Sequence, residues 1–583
     1  MTAQPSRMYV VATAGHVDHG KSTLVRALTG TEPDRLPEER RRGLSIELGY
    51  AWTELVDVGE VAFVDVPGHE RFLATTLAGV GPVPAVLFVV AADDPWMPQA
   101  AEHLGALDAL GVGSGVLVVT RADLADPAPA LHAARSAMRG TTLAGIPHVV
   151  VSGRTGAGLD ELRSLLSATL HGLSRPDPAA DVRLWLDRLF HVPGAGTVVT
   201  GTLGRGTVRR GDVLAVRLGG TDHEVRVRSL ESLGRPRDAV EGAARVALDL
   251  GGRVPSGLQR DSVLTTPGAF EPVSVVDVEL TGAGTPPARP QLHVGAAAMT
   301  VHLRPLGDSH ARLTLPAALP LRHGDRAVLR DPGDRSLWGV RVLEPAPAPL
   351  RRRGDAARRA LRLPSYDGTV GPLLADRHLL RISTQRRLGV DVGRLEPGTV
   401  TADDWLLSPE RARQLRDQLL KALRGAPEGL TLGAATRLLD LPDPALTAAL
   451  VTEPVRLRAG RLDVEQALPT PVESALSALR HDLEAAPFSA PDADRLAELG
   501  LDAATLARLG REGLLLRLEA GIVLLPGADD HAVTRLAELD QPFTVSQARS
   551  HLGTTRRVVL PLLLHLDRTG RTARLPDDRR RLR

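Results

Sequence analysis

Gly15, Gly20, Lys21 and Ser22 stand in the order G-x-x-x-x-G-K-S within AGHVDHGKSTL, residues 14–24. Glycines let a short loop wind until successive backbone N–H groups point inward, and a lysine reaching back over that loop lies where two phosphates would sit. His16, Val17, Asp18 and His19 complete the loop, and Thr23 opens the helix-like segment that follows. Lys21 and Lys421 are the only lysines among 71 basic residues. A compact ammonium threads between phosphates where a broad planar guanidinium does not fit, which explains why lysine is kept at 21. Ser22 can give Mg2+ a direct oxygen; Asp65, in DVPG at 65–68, can hold the same ion through water, with the Gly68 N–H facing the terminal phosphate.

A second constellation bears on the base. TRAD at 120–123 ends in Asp123, whose carboxylate offers two acceptors to the paired N–H donors of guanine and so favours GTP over ATP. Thr120 and Arg121 depart from the usual N-K-x-D pattern, although Arg121 can lay its flat head or its stem on the base. Alone, 120–123 reads equally well as a polar strand-to-loop turn; its place behind the other motifs makes it a base reader. Ser152 and Gly153 form a candidate base-contacting loop.

These motifs need a scaffold that lines them up. Apolar, β-rich runs precede each one: MYVVATA at 8–14, EVAFV at 60–64 and GVLVV at 115–119, with helix-like segments between. That order predicts a doubly wound parallel sheet with its ligand at the strand C-termini. From residue 182 short β runs with glycine-rich turns predict two β-barrels. After a proline-rich then basic linker from 344, units with a period of about 60 residues, each an amphipathic helix, a second helix pair and a β-rich end, predict tandem winged helices. The expected class is a multidomain chain, an α/β P-loop GTPase domain, two β-barrels and tandem α/β winged-helix modules. Its boundaries are 1–175, 176–268, 269–346, a linker with a degenerate first winged helix at 347–407, and winged helices at 408–468, 469–527 and 528–583.

Composition narrows the rest. A chain of 583 residues exceeds one domain of about 150. Without cysteine it has no disulfide, thiolate metal site or thiol nucleophile. The longest apolar run, 80–92, is interrupted by prolines and too short to span a bilayer, so neither membrane nor secretion is expected, and the cytoplasm is. Net charge is only +2, so any affinity for RNA must come from local clustering. That clustering is at the end: from Phe543 onward ten arginines face three aspartates.

GHVDHGKSTL, RRGLSIELGY and DVPGHERF resemble the translational GTPases of the elongation factor Tu superfamily. The resemblance implies a GTPase with Mg2+, in which Ser45 takes the place of the switch threonine on the metal, His69 positions the attacking water, and Val17 and Leu44 form an apolar gate beside it. It also implies a monomer that works on the ribosome. In LWLDRLF, Asp187-Arg188 resembles the selenocysteine-specific elongation factors, and Arg245 resembles a second pocket arginine of theirs. Arginine there would turn the anionic selenol of selenocysteinyl-tRNA into specificity. Otherwise Arg188 pairs with Asp187 or a rim carboxylate and Arg245 is a strand-edge residue. Thr554, Thr555, Arg556 and Arg557 resemble the turn with which the last winged helix of that family grips a hairpin in selenoprotein mRNA, and Arg549, Arg574 and Arg579 join them as RNA contacts. Two rivals remain: a GTPase for another aminoacyl- or initiator-tRNA, and an RNA-binding regulator with a vestigial nucleotide site.

Overall fold

The computed structural model describes residues 8–33, 47–67, 73–80, 83–94, 96–192, 196–426, 428–464 and 469–583. Ser45, Gly68, His69 and Leu44 lie outside the described residues. The chain divides into two compact units, 1–419 with 432–450 and 420–431 with 451–583. Among the described residues no helix is long and apolar enough to cross a membrane.

The first unit begins with the expected α/β domain. Its elements are β1 (Met8–Ala14), α1 (Lys21–Thr29), β2 (Gly49–Leu55), β3 (Gly59–Asp65), α2 (Leu73–Val80), β4 (Ala85–Ala91), α3 (Pro98–Ala109), β5 (Gly115–Thr120), α4 (Ala128–Met138), β6 (His148–Val150) and α5 (Leu159–His171). The sheet order is β2-β3-β1-β4-β5-β6, parallel except for β2, which runs antiparallel to β3 with Tyr50 opposite Val64. The central strands are buried on both faces, as continuous Val, Leu and Ala runs require, and two apolar clusters cover the two sides. Helices on both faces leave the strand C-termini free, and the motif residues gather there.

Six strands of the next domain close into a barrel, because Val213–Leu218 pairs with both Thr221–Ser232 and Val263–Thr265. A seven-stranded antiparallel sheet follows between Val273–Thr281 and Leu337–Pro345. It packs on α3, where Val328 meets Ala106 and Ala109. The stretch 347–407, expected as a linker with a degenerate module, contains helices Asp355–Arg362 and Val370–Arg377 and a three-stranded sheet built from Leu379–Arg381, Val400–Ala402 and Trp405–Leu407. It shares one hydrophobic core with the second barrel. Buried Arg359 fastens the joint: it donates to Asp277 Oδ2 at 2.7 Å, to the Tyr366 hydroxyl at 2.7 Å and to Glu344. Charges this buried persist only when fully paired. Residues 408–468 are divided between the units, with helices Leu432–Leu438 and Pro444–Ala449 in the first and strands Val455–Arg458 and Arg461–Val464 in the second.

In the second unit, residues 469–583 hold the helices and short hairpins of two winged-helix units, but a single apolar core runs through both, from Ala475 to Leu566, with Phe488 and Phe543 deep inside it. Two polar ties add to it: Thr554 Oγ1 donates to the Phe488 carbonyl at 2.5 Å, and Arg557 donates to the carbonyls of Ala490 and Pro491 at 2.7 and 2.9 Å. The fragment 469–583 is therefore expected to unfold in one cooperative urea transition, and 528–583 alone to lack a stable fold, which circular dichroism and amide exchange would show. A fully protected 528–583 fragment would contradict the shared core.

Candidate functional site

The loop 15–20 ends β1 and starts α1. Gly15 has φ +128°, and a Cβ there would lie 2.1 Å from the Val89 carbonyl oxygen. Asp18 and Gly20 also take positive φ, so the loop turns tightly enough to present successive N–H groups. Lys21 Nζ donates to the carbonyls of Gly15 at 3.1 Å and His16 at 2.7 Å, suspending the ammonium across the loop. Ser22 Oγ donates to Asp65 Oδ2 at 2.6 Å, and Thr13 Oγ1 donates to Asp65 Oδ1 at 2.7 Å. A hydroxyl and a carboxylate so placed form a hard oxygen pair, which fits Mg2+. Among the described residues there is no cluster of three or more His, Cys, Asp or Glu that could hold a metal.

Two histidines of this loop and a third, His103, packed against it shape its interior. His103 accepts the Gly15 N–H on Nδ1 at 3.1 Å, His19 Nε2 lies 3.2 Å from Asp94 Oδ2, and His16 meets His19 edge to face at 5.0 Å. Burial, followed by the positive charge of Lys21, pushes His103 down to about 3. The neutral ring is what the loop needs, because a protonated Nδ1 could not accept. Burial also lowers His16 and His19.

At the base-reading end, Thr120 Oγ1 donates to the His19 carbonyl at 2.7 Å, tying β5 to the phosphate loop. Arg121 is held by Asp93 at 3.1 Å and by the Asp18 carbonyl. Both departures from the usual motif thus brace the loop. Asp123 is exposed, and a hydrogen bond with Ser152 lowers its pKa, keeping the carboxylate charged. Ser152 also accepts the Thr155 N–H at 3.1 Å, so 152–153 and Asp123 form one rim. Gly153 lies against Thr23, where a Cβ would meet its methyl at 3.3 Å.

A second site lies where the first barrel meets β2. The register of Arg183–Val192 against Gly196–Leu203 shifts between Leu186 and Arg188, leaving Asp187 as the extra residue of a bulge. Bulges re-aim side chains, and this one gives neighbouring residues separate tasks. Asp187 turns inward: Thr200 Oγ1 donates to it at 2.7 Å, and Arg245 grips both of its oxygens while also donating to Thr202 Oγ1 at 2.9 Å. Burial works against both charges, yet each partner outweighs it, so Asp187 is lowered and Arg245 raised. Arg188 instead donates to the Leu48 carbonyl and lies 3.2 Å from Glu47. Tyr50 joins the two cations, its ring centroid 4.1 Å from Arg245 Cζ and 5.0 Å from Arg188 Cζ. Its buried hydroxyl has no partner among the described residues. A cavity of about 120 Å3 opens beside them, lined by Tyr50, Trp52, Thr200, Glu231 and Arg245. Tyr50 and His103 were not singled out from the sequence. The only signal for Tyr50 is that it is one of three tyrosines, placed on an edge strand.

In the C-terminal unit, Arg549 and Arg556 are exposed and make no ion pair among the described residues. Helix Arg556–Arg568 starts at Thr555 with no side-chain cap, so its first N–H groups and Arg556 face outward together. Arg574 is paired with Asp578, Arg579 lies 3.0 Å from Asp577, and Thr554 and Arg557 are engaged with 488–491.

His103 titrates near 6.5 when unfolded and near 3 when folded, so the unfolded chain binds the extra proton. The stability it supplies is complete above pH 6.5 and is lost as pH falls from there toward about 3. Unfolding followed from about pH 7.5 to about pH 5 should therefore be less steep in His103→Asn, which keeps an acceptor but does not titrate. Equal slopes would exclude this role.

The family model "Elongation factor Tu GTP binding domain" matches residues 6–172, and "Elongation factor SelB, winged helix" matches 534–581. A selenocysteine-specific elongation factor of Desulfomicrobium baculatum is 35% identical over 362 residues, which are 59% of this chain and 57% of the relative, so the chain spans little more than half of that protein. One of Haemophilus influenzae is 31% identical over 443 residues, 71% of this chain and 69% of the relative. The crystal structure of a bacterial selenocysteine-specific elongation factor superposes with a TM-score of 0.71 at 26% identity, covering 99% of each chain.

Proposed function

Because the chain belongs to the selenocysteine-specific elongation factors, we propose that it binds and hydrolyses GTP to deliver selenocysteinyl-tRNA to the ribosome at recoded UGA codons. It does so as a cytoplasmic monomer whose terminal winged helix holds the selenoprotein mRNA hairpin. One observation carries this reading: Arg188 lies beside a buried Asp187–Arg245 pair and shares Tyr50 with it, and Tyr50 and Arg245 line a cavity at the edge of the GTPase domain. Arg245 is largely neutralised by Asp187 and serves as scaffold. Among the described residues Arg188 rests on the Tyr50 ring and bonds to a backbone carbonyl and the exposed Glu47, so its charge can be given to an anionic selenium when tRNA arrives.

In the nucleotide site, His16 to Thr23 and Gly68 surround the phosphates, Lys21 spans two of them, and Asp123 with Ser152 and Gly153 holds the base. Ser22, Asp65 and Ser45 are the residues that would hold Mg2+, which when bound neutralises charge growing on the transferred phosphoryl group. His69 orients the attacking water. Ordering of the switch segments by GTP, and their release on hydrolysis, couples this chemistry to tRNA capture.

The GTP-loaded chain should protect selenocysteinyl-tRNA from ester hydrolysis and leave seryl-tRNA exposed. In Arg188→Glu the difference should disappear; an unaltered preference would end the role assigned to Arg188. For the hairpin, Arg549→Ala with Arg556→Ala should weaken binding and reduce the salt slope by about two, whereas Arg557→Ala should reduce stability more than the slope. A salt slope that stays the same in the double variant would place the RNA elsewhere.

A further inference from the structure

A cavity of about 300 Å3 lies within the first unit where three domains meet, bounded by Leu110 after α3, by Arg183, Trp185, Thr202 and Arg205 of the first barrel, and by Asp325 and Arg326 of the second. Its charge is unbalanced. Three guanidiniums line it against one carboxylate, and that carboxylate is fully used: Arg183 takes both Asp325 oxygens, at 2.5 and 2.6 Å, and the Arg322 N–H takes one again at 2.7 Å. The nearby Asp181 is taken by Arg322 at 2.6 Å. Arg205 and Arg326 are exposed, and neither makes a hydrogen bond or an ion pair among the described residues. Two other exposed arginines, Arg175 and Arg217, pair with Glu241 and Asp222.

Both side chains are placed rather than stray. Arg326 rests on Gly111, where a Cβ would come within 2.7 Å of its Cζ, and Gly111 takes φ +71° in the turn after α3. Arg205 sits between two glycines, and Gly206 leaves no room for a Cβ against the Ala180 carbonyl. Partial burial of the guanidinium of this surface residue, then the cations Arg183 and Arg322, lower the Arg205 pKa against the opposing pull of Asp325 and Asp181. Planar guanidiniums meet tetrahedral oxyanions through paired N–H groups, and the volume is that of a small-molecule site.

We infer that this junction binds a small phosphate-bearing anion, with Arg205 and Arg326 as its cationic ligands. The site is separate from the nucleotide loop and from the cavity beside Tyr50 and Arg245. It nevertheless communicates with the latter, because the Thr202 hydroxyl in its wall accepts the Arg245 N–H at 2.9 Å. An occupant would bind surfaces from two barrels at once and hold their arrangement.

The probe is magnesium pyrophosphate, titrated calorimetrically into the full chain already loaded with a fluorescent GDP. One site per chain is expected, without release of the GDP, and weakened about tenfold or more by Arg205→Gln and by Arg326→Gln. Neither guanidinium has a hydrogen bond to lose, so both variants should fold; if Arg326→Gln does not, Gly111→Ala, which displaces Arg326, takes its place. Absence of a site up to about 10 mM, heat that appears only as GDP is released, or binding that survives both substitutions would each overturn the inference.

Discussion

A buried ion pair, Asp187 with Arg245, sets the terms for the centre of this protein. Removing either partner would leave a charge where water cannot reach it, a cost of about 3–5 kcal/mol. The pair is satisfied by two threonines of its own barrel and capped by the ring of Tyr50 from the GTPase domain. The barrel is thus attached to β2 through a cation and a ring, at the point where a bulge brings the next residue, Arg188, to the same Tyr50 ring. Of the Asp-Arg dipeptide, Asp187 is locked in the buried pair and Arg188 lies outside it, against Leu48 and Glu47.

The nucleotide end works by the same economy of polar groups. Asp65 is wholly buried, yet both of its oxygens accept hydroxyls, from Thr13 and Ser22. Thr120 and Arg121, which break the usual base-reading pattern, both bond to carbonyls of the phosphate loop. Their substitution therefore preserves the connection between base and phosphate subsites, since a short hydroxyl and a long guanidinium reach the same loop from one strand end.

Much of this was legible in the sequence where function depends on adjacent residues. The phosphate loop is such a case: positive φ, tight winding and a following helix are local demands, and Gly15, Gly20 and Lys21 meet them within seven positions. Parallel strands were legible for the same reason, as continuous apolar runs. Contacts between distant segments were not. Tyr50 reaches Arg245 across 195 positions, and no periodicity announces a ring seated on a cation. Nor did the basic tail reveal which arginines are available: Arg556 faces solvent while its neighbour Arg557 is bonded to 490–491, a distinction that depends on the loop packed behind the helix. The stretch 347–407 reads as a linker with a degenerate module because it is proline-rich and then basic; its order comes from Arg359 and from the barrel core it shares.

The single core beneath residues 469–583 also limits how such a protein can change. A recombination joint placed between the last two repeats would cut through the packing of Phe488 and Phe543, and each parent would contribute half of an interior evolved against a different mate. A change carried by these modules is thus more readily inherited by exchanging the whole terminal pair than by grafting its final member.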